Sequence, residues 1–155
     1  MSGTDQPTID TDRLRRLQAW MDAEGLPGTG APLEHRYISG GSQNEIYELR
    51  RGDDLHCVMR IPPPTAPADR DKGILREWRI IEALDGTDVP TTEAVAVCTD
   101  QSVMGRTFYL MGFVDGWSPM DLATGPDGNR HWPEPFHTDL EARQGLAYQL
   151  VEGAA

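Results

Sequence analysis

The chain has 155 residues, of which 38% are hydrophobic and 25% charged, and its formal net charge is −11. Length and composition fit one soluble globular domain with a core of its own, and exclude two large domains. The negative charge argues against nucleic-acid and anionic-membrane partners, whose phosphates it repels.

No apolar run approaches the length of a membrane span, and the start MSGTDQPTID has neither a basic n-region nor an apolar h-region. The default expectation is the cytoplasm. Cys57 and Cys98 are too few and too far apart for a disulfide scaffold or a CxxC metal site, and read as small buried hydrophobes.

From about Asp10 to Glu24, Leu14, Leu17 and Met21 share one helical face, with Gly25 as a natural stop. Arg13, Arg15 and Arg16 make the opposite face basic. Residues 25–32 form a Gly/Pro linker, after which Leu33 to Ser39 opens a sheet.

The stretch 37–64, YISGGSQNEIYELRRGDDLHCVMRIPPP, reads as strand, glycine turn, strand, polar turn, strand and proline stop. Gly40 and Gly41 allow close backbone approach. Along the third strand Leu55, Cys57, Met59 and Ile61 alternate with His56, Val58 and Arg60, so the second face ends in a cation. Pro62, Pro63 and Pro64 then block the ladder. Such a turn with a nearby cation can cover a nucleotide phosphate; it can equally be an ordinary hairpin pair with a surface arginine.

Asp69 to Asp71 can cap a helix running to about Leu84. Ile74, Trp78, Ile81 and Leu84 form its apolar stripe, and Glu77 falls inside it. A carboxylate there needs a partner. Arg60 is one; pairing with Arg76 or Arg79, or snorkelling to the stripe's edge, is the alternative. Ala94 to Cys98 reads as a short strand, Thr99 to Gly105 as a polar turn, and Thr107 to Val114 as a strand apolar on both faces, hence central or covered. Residues 117–137 show no periodicity, and His131 and His137 within them read as loop polar residues. Thr138-Asp139-Leu140-Glu141 is a capping box for a last amphipathic helix.

Four ordered blocks, ISGGSQNEIYEL (38–49), VMRIPP (58–63), REWRIIEALDGTDVP (76–90) and VCTDQSVMGRTFYLMGFVDG (97–116), give a resemblance. The chain resembles the N-terminal lobe of the protein-kinase-like fold, within the aminoglycoside phosphotransferase / choline kinase group, and most of all its branch associated with acyl-CoA dehydrogenases. The implied fold is α+β, an antiparallel sheet of about five strands with one packed helix. An N-terminal helix and linker (1–32) precede this lobe with its hinge (33–116), and the loop and first helix of a truncated C-lobe (117–155) follow.

The resemblance implies ATP and magnesium as cofactors, the magnesium ligands lying on a second lobe. Gly40, Gly41, Ser42 and Asn44 would form the loop over the phosphates, and Arg60 would stand where most kinases place lysine, paired with Glu77. Met111 would line the adenine pocket, with the Gly112 carbonyl and Val114 amide bonding adenine. The family's catalytic Asp and following Asn are not found in the sequence, so no catalytic residue is assigned and the chain reads as a fragment inactive alone. The implied activity is phosphoryl transfer to a small-molecule hydroxyl. The alternative is a non-catalytic binding or assembly module, self-associating through an exposed face.

Overall fold

A computed structural model of the chain describes residues 7–40, 43–116 and 127–152. It divides into two compact units, Met1–Thr87 with Thr91–Phe113, and Asp88–Pro90 with Val114–Ala155.

The first unit is built on one sheet. β1 (Leu33–Gly40), β2 (Glu45–Arg51), β3 (Leu55–Ile61), β4 (Ala94–Cys98) and β5 (Phe108–Gly112) lie in the order β1-β2-β3-β5-β4, every neighbouring pair antiparallel. β5 is an interior strand, flanked by β3 and β4, as its two apolar faces predict. Strand alternation then divides the side chains between two faces.

One face carries Tyr47, Leu49, Cys57, Met59, Phe108 and Leu110, all buried against α1 (Thr11–Ala23) and α3 (Gln101–Met104). Leu17 and Met21 of α1 are fully buried there, and Asp10 caps that helix by accepting from the Arg13 amide at 2.9 Å. Removing any of these side chains costs about 2–5 kcal/mol, so this face supplies most of the fold's stability. Both cysteines are free and buried, and burial pushes the Cys57 thiol up to about 12.

The opposite face receives α2 (Arg70–Leu84), whose Ile74 and Trp78 are buried against Tyr109 with Ile81, Ala94, Val97 and Met111 around them. That helix covers the β4–β5 side of the sheet. Paired positions place Ile46, Arg60 and Tyr109 in one row across this face, and Glu48, Val58 and Met111 in the next.

Three local expectations need correcting. The segment 99–105 is not a plain turn: α3 forms within it because the Asp100 carboxylate accepts from the Ser102 amide at 2.8 Å, and Gly105 closes the helix at φ 82°. Asp69 does occupy the N-cap of α2, but its side chain makes no capping bond among the described residues. In the second unit α4 (Leu140–Glu152) is capped by Asp139, which accepts from the Glu141 and Ala142 amides. Thr138 instead donates to Glu134 at 2.6 Å.

No helix among the described residues is long and apolar enough to cross a membrane.

Candidate functional site

The site grows out of the row Ile46–Arg60–Tyr109. Arg60 leaves β3 on the face that receives α2, and Glu77 projects from α2 toward it. Arg60 Nε lies 2.9 Å from Glu77 Oε2, with the two side chains 32% and 38% exposed. Of the partners open to Glu77 in the sequence, the structure selects Arg60.

Two further groups complete the cluster. The Tyr109 hydroxyl donates to the same Glu77 oxygen at 3.2 Å. Burial pushes that phenol up to about 12 despite the opposing pull of Arg60, so it keeps its proton and serves as a donor. Asn44 satisfies its neighbours when its amide oxygen faces the guanidinium: Oδ1 then accepts from Arg60 Nε at 3.1 Å and Nη2 at 3.0 Å, while Nδ2 donates to the Gln43 carbonyl at 2.7 Å.

Asn44 thus ties the entry to β2 to the cation. An extra residue in β1, Ile38, bulges the strand between Tyr37 and Ser39, near its end at Gly40.

Magnitude decides how to read the pair. A one-third-exposed ion pair contributes only about 0.2–1 kcal/mol. An apolar residue at position 77 would extend the Ile74–Trp78–Ile81 stripe and stabilise α2 more. The arrangement therefore fixes the direction of a guanidinium rather than the fold, and a guanidinium so held matches an anionic oxygen.

The remaining expected positions fall as follows. Gly40 ends β1 opposite Glu45. Gly41 and Ser42 lie outside the described residues. Met111 is half-buried and packs against the Ile74–Trp78–Tyr109 cluster. The Gly112 carbonyl already accepts from the Thr92 hydroxyl at 2.7 Å, which leaves one lone pair for another donor. Its amide donates to the Glu93 carbonyl at 2.9 Å, and a Cβ at Gly112 would come within 3.1 Å of Glu93 Cβ. Val114 opens the second unit and is exposed.

Beside this site lies a network the sequence did not announce. Buried Glu48 accepts from Arg36 Nε at 2.8 Å and Arg50 Nε at 3.1 Å, and its Oε1 lies 2.8 Å from His56 Nε2. These donors, Arg36 foremost, hold its carboxyl down at about 2 against an ordinary 4.5. The His56 ring stacks on Phe113 with centroids 4.0 Å apart, and the Phe113 amide donates to the His56 carbonyl at 3.4 Å. The available signal was register: Arg36, Glu48 and Val58 stand opposite one another, with Arg50 and His56 in the adjoining row.

In the second unit His131 joins His137 at 2.9 Å and Asp127 at 2.8 Å. Among the described residues no group of three or more His, Cys, Asp or Glu side chains could hold a metal ion. The held Arg60 guanidinium fits the phosphate end of a nucleotide.

A five-stranded antiparallel sheet, a strand cation and a packed helix that carries its carboxylate partner define the N-terminal lobe of a kinase-like fold. The chain belongs to the phosphotransferase enzyme family, whose model matches residues 34–152. It is similar to a solved protein from Ralstonia eutropha JMP134 provisionally assigned as an aminoglycoside phosphotransferase, at 36% identity and TM-score 0.55, over 71% of this chain and 29% of that one.

Curated relatives carry other names. Acyl-CoA dehydrogenase family member 11 of Mus musculus is 33% identical over 66% of this chain and 14% of its own length. Family member 10 of the same species is 34% identical over 60% and 9%. Probable acyl-CoA dehydrogenase IBR3 of Arabidopsis thaliana is 30% identical over 70% and 14%. The chain thus spans a small part of each relative's length.

Proposed function

We propose that this chain is the nucleotide-binding lobe of an ATP-dependent phosphotransferase that acts on a small-molecule hydroxyl. The observation that carries the reading is Arg60, held between Glu77, Asn44 and the row of Tyr109. In this reading the guanidinium meets phosphate oxygens, the turn at residues 40–44 lies over them, and the segment from Met111 to Val114 takes the adenine.

Arg60 acts as a fixed positive charge: it orients the phosphates and offsets their negative charge as the transferred group leaves. Glu77 keeps the guanidinium from folding onto solvent, and Asn44 couples its position to the turn. Magnesium would supply further positive charge to the phosphates. The acceptor is a small molecule in this proposal, with neither nucleic acid nor membrane as partner, since the chain carries net charge −11.

Thermal unfolding of the 155-residue chain with and without Mg-ATP tests the reading. A saturable rise in midpoint, about 2.7 kcal/mol of stabilisation at a hundredfold excess over Kd, is the expected result. No rise at millimolar nucleotide would overturn it.

A second reading, an assembly module without catalysis, draws on α4, where Leu140, Tyr148 and Val151 are 61%, 71% and 69% exposed. Sedimentation that shows concentration-dependent dimers indifferent to Mg-ATP would favour it.

A further inference from the structure

The connection between the two members of the Arg60–Glu77 pair is short of backbone donors. It leaves β3 at Ile61 and enters α2 at Arg70, and it carries Pro62, Pro63, Pro64 and Pro67, none of which has an N–H. The N-cap of α2 gives no help, because Asp69 makes no capping bond among the described residues.

One side chain from a distant part of the chain fills this gap. Arg106, which follows the left-handed Gly105, donates from Nη1 to the Pro63 carbonyl at 3.1 Å and the Ala66 carbonyl at 2.8 Å, and from Nη2 to the Pro67 carbonyl at 3.0 Å. Its Nε donates to Asp71 Oδ1 at 3.0 Å, in the first turn of α2. Gln101 of α3 donates to the other Asp71 oxygen at 3.1 Å. Arg106 and Asp71 are 11% and 14% exposed, so this ion pair is far better shielded than Arg60–Glu77.

We infer that Arg106 is a positioning residue for the Arg60–Glu77 pair. Its planar fork fixes both the exit of the strand that bears Arg60 and the entry of the helix that bears Glu77. Helix α2 is otherwise seated by the small Ile74–Trp78–Tyr109 cluster. One of the four charge-assisted bonds reaches α2 itself at Asp71, and the other three hold the connection that leads into it. The nucleotide consequences rest on the proposed function; the geometry of the pair does not.

The test follows the Arg60 Nε–H in nitrogen-15 NMR, assigned by its loss in Arg60→Lys, in the wild-type chain, Arg106→Ala and Arg106→Lys. Slow exchange of the wild-type proton is the expected result. Arg106→Ala speeds that exchange about tenfold or more, while the Leu49 amide on the other sheet face keeps its rate. Arg106→Lys falls between, because an ammonium can reach Asp71 but cannot serve three carbonyls in one plane.

Calorimetry below the unfolding range adds a split that a purely structural role would not give: Mg-ATP affinity falls about tenfold in Arg106→Ala, and adenosine affinity stays within about twofold. Unchanged Arg60 Nε–H exchange overturns the inference, whether or not nucleotide binds. Equal losses for Mg-ATP and adenosine overturn it as well. If Arg106→Ala does not fold, Asp71→Asn, which keeps the carbonyl bonds and loses the charge, carries the same readouts. A wild-type chain that shows the Nε–H result but no Mg-ATP binding supports the positioning role and overturns the proposed function.

Discussion

The two faces of the sheet are built for different purposes, and each holds an arginine–carboxylate pair that shows it. On the face packed by α1, Arg51 is fully buried and meets Asp22, with its Nε and Nη1 unpartnered among the described residues. Gly28 passes so close to that arginine that a Cβ there would stand 2.7 Å from Arg51 Cβ. On the face packed by α2, Arg60 is a third exposed and held on several sides by Glu77 and Asn44. The first pair is a buried charge that must be neutralised. The second is an accessible charge that is aimed.

Four substitutions sharpen that contrast. Asp22→Ala leaves Arg51 buried without a counter-ion, and is expected to lower unfolding free energy by about 3 kcal/mol in denaturant titration while Mg-ATP affinity stays constant in the folded range. Glu77→Ala reverses the pattern: stability falls by less than about 1 kcal/mol, and Mg-ATP affinity by about tenfold in calorimetry. In an intact enzyme the same change should cut phosphoryl transfer by more than a factor of about two.

Tyr109→Phe removes one bond to Glu77 and keeps the ring against Trp78, 6.1 Å away between centroids. Its expected cost is about 0.5–1.5 kcal/mol, a few-fold in Mg-ATP affinity.

A separate, pH-dependent effect lies at the Glu48 network. Glu48 is lowered in the folded protein to about 2 from 4.5, so its stabilising contribution is complete above pH 4.5 and is lost as pH falls toward about 2. Thermal midpoints of wild type and Glu48→Gln should therefore converge over that acid range. A constant gap would show that the three basic neighbours contribute no charge-dependent stability.

The Arg60–Glu77 pair was legible in the sequence because it broke two patterns at once: a cation closing one face of β3, and a carboxylate within the apolar stripe of α2. The interior place of β5 was legible from its two apolar faces. Tyr109 was legible in principle, since it alternates with Phe108 and Leu110 and so shares a face with Met111.

Arg106 was not. Its four bonds span 35 to 43 residues of sequence, and nothing local marks an arginine after a glycine as the anchor of a proline-rich connection. Glu48 was hidden for a related reason: its three basic neighbours lie on β1, β2 and β3, and only the register brings them together.

In the proposed function the α2 face, and not the α1 face, meets the nucleotide. Amide chemical-shift mapping of the chain during titration with Mg-ATP tests it most directly. Saturable shifts are expected at Asn44, Arg60, Met111 and Gly112, with Leu17, Met21, Leu49 and Arg51 unmoved. Shifts centred on the α1 face, or none at millimolar nucleotide, would contradict it.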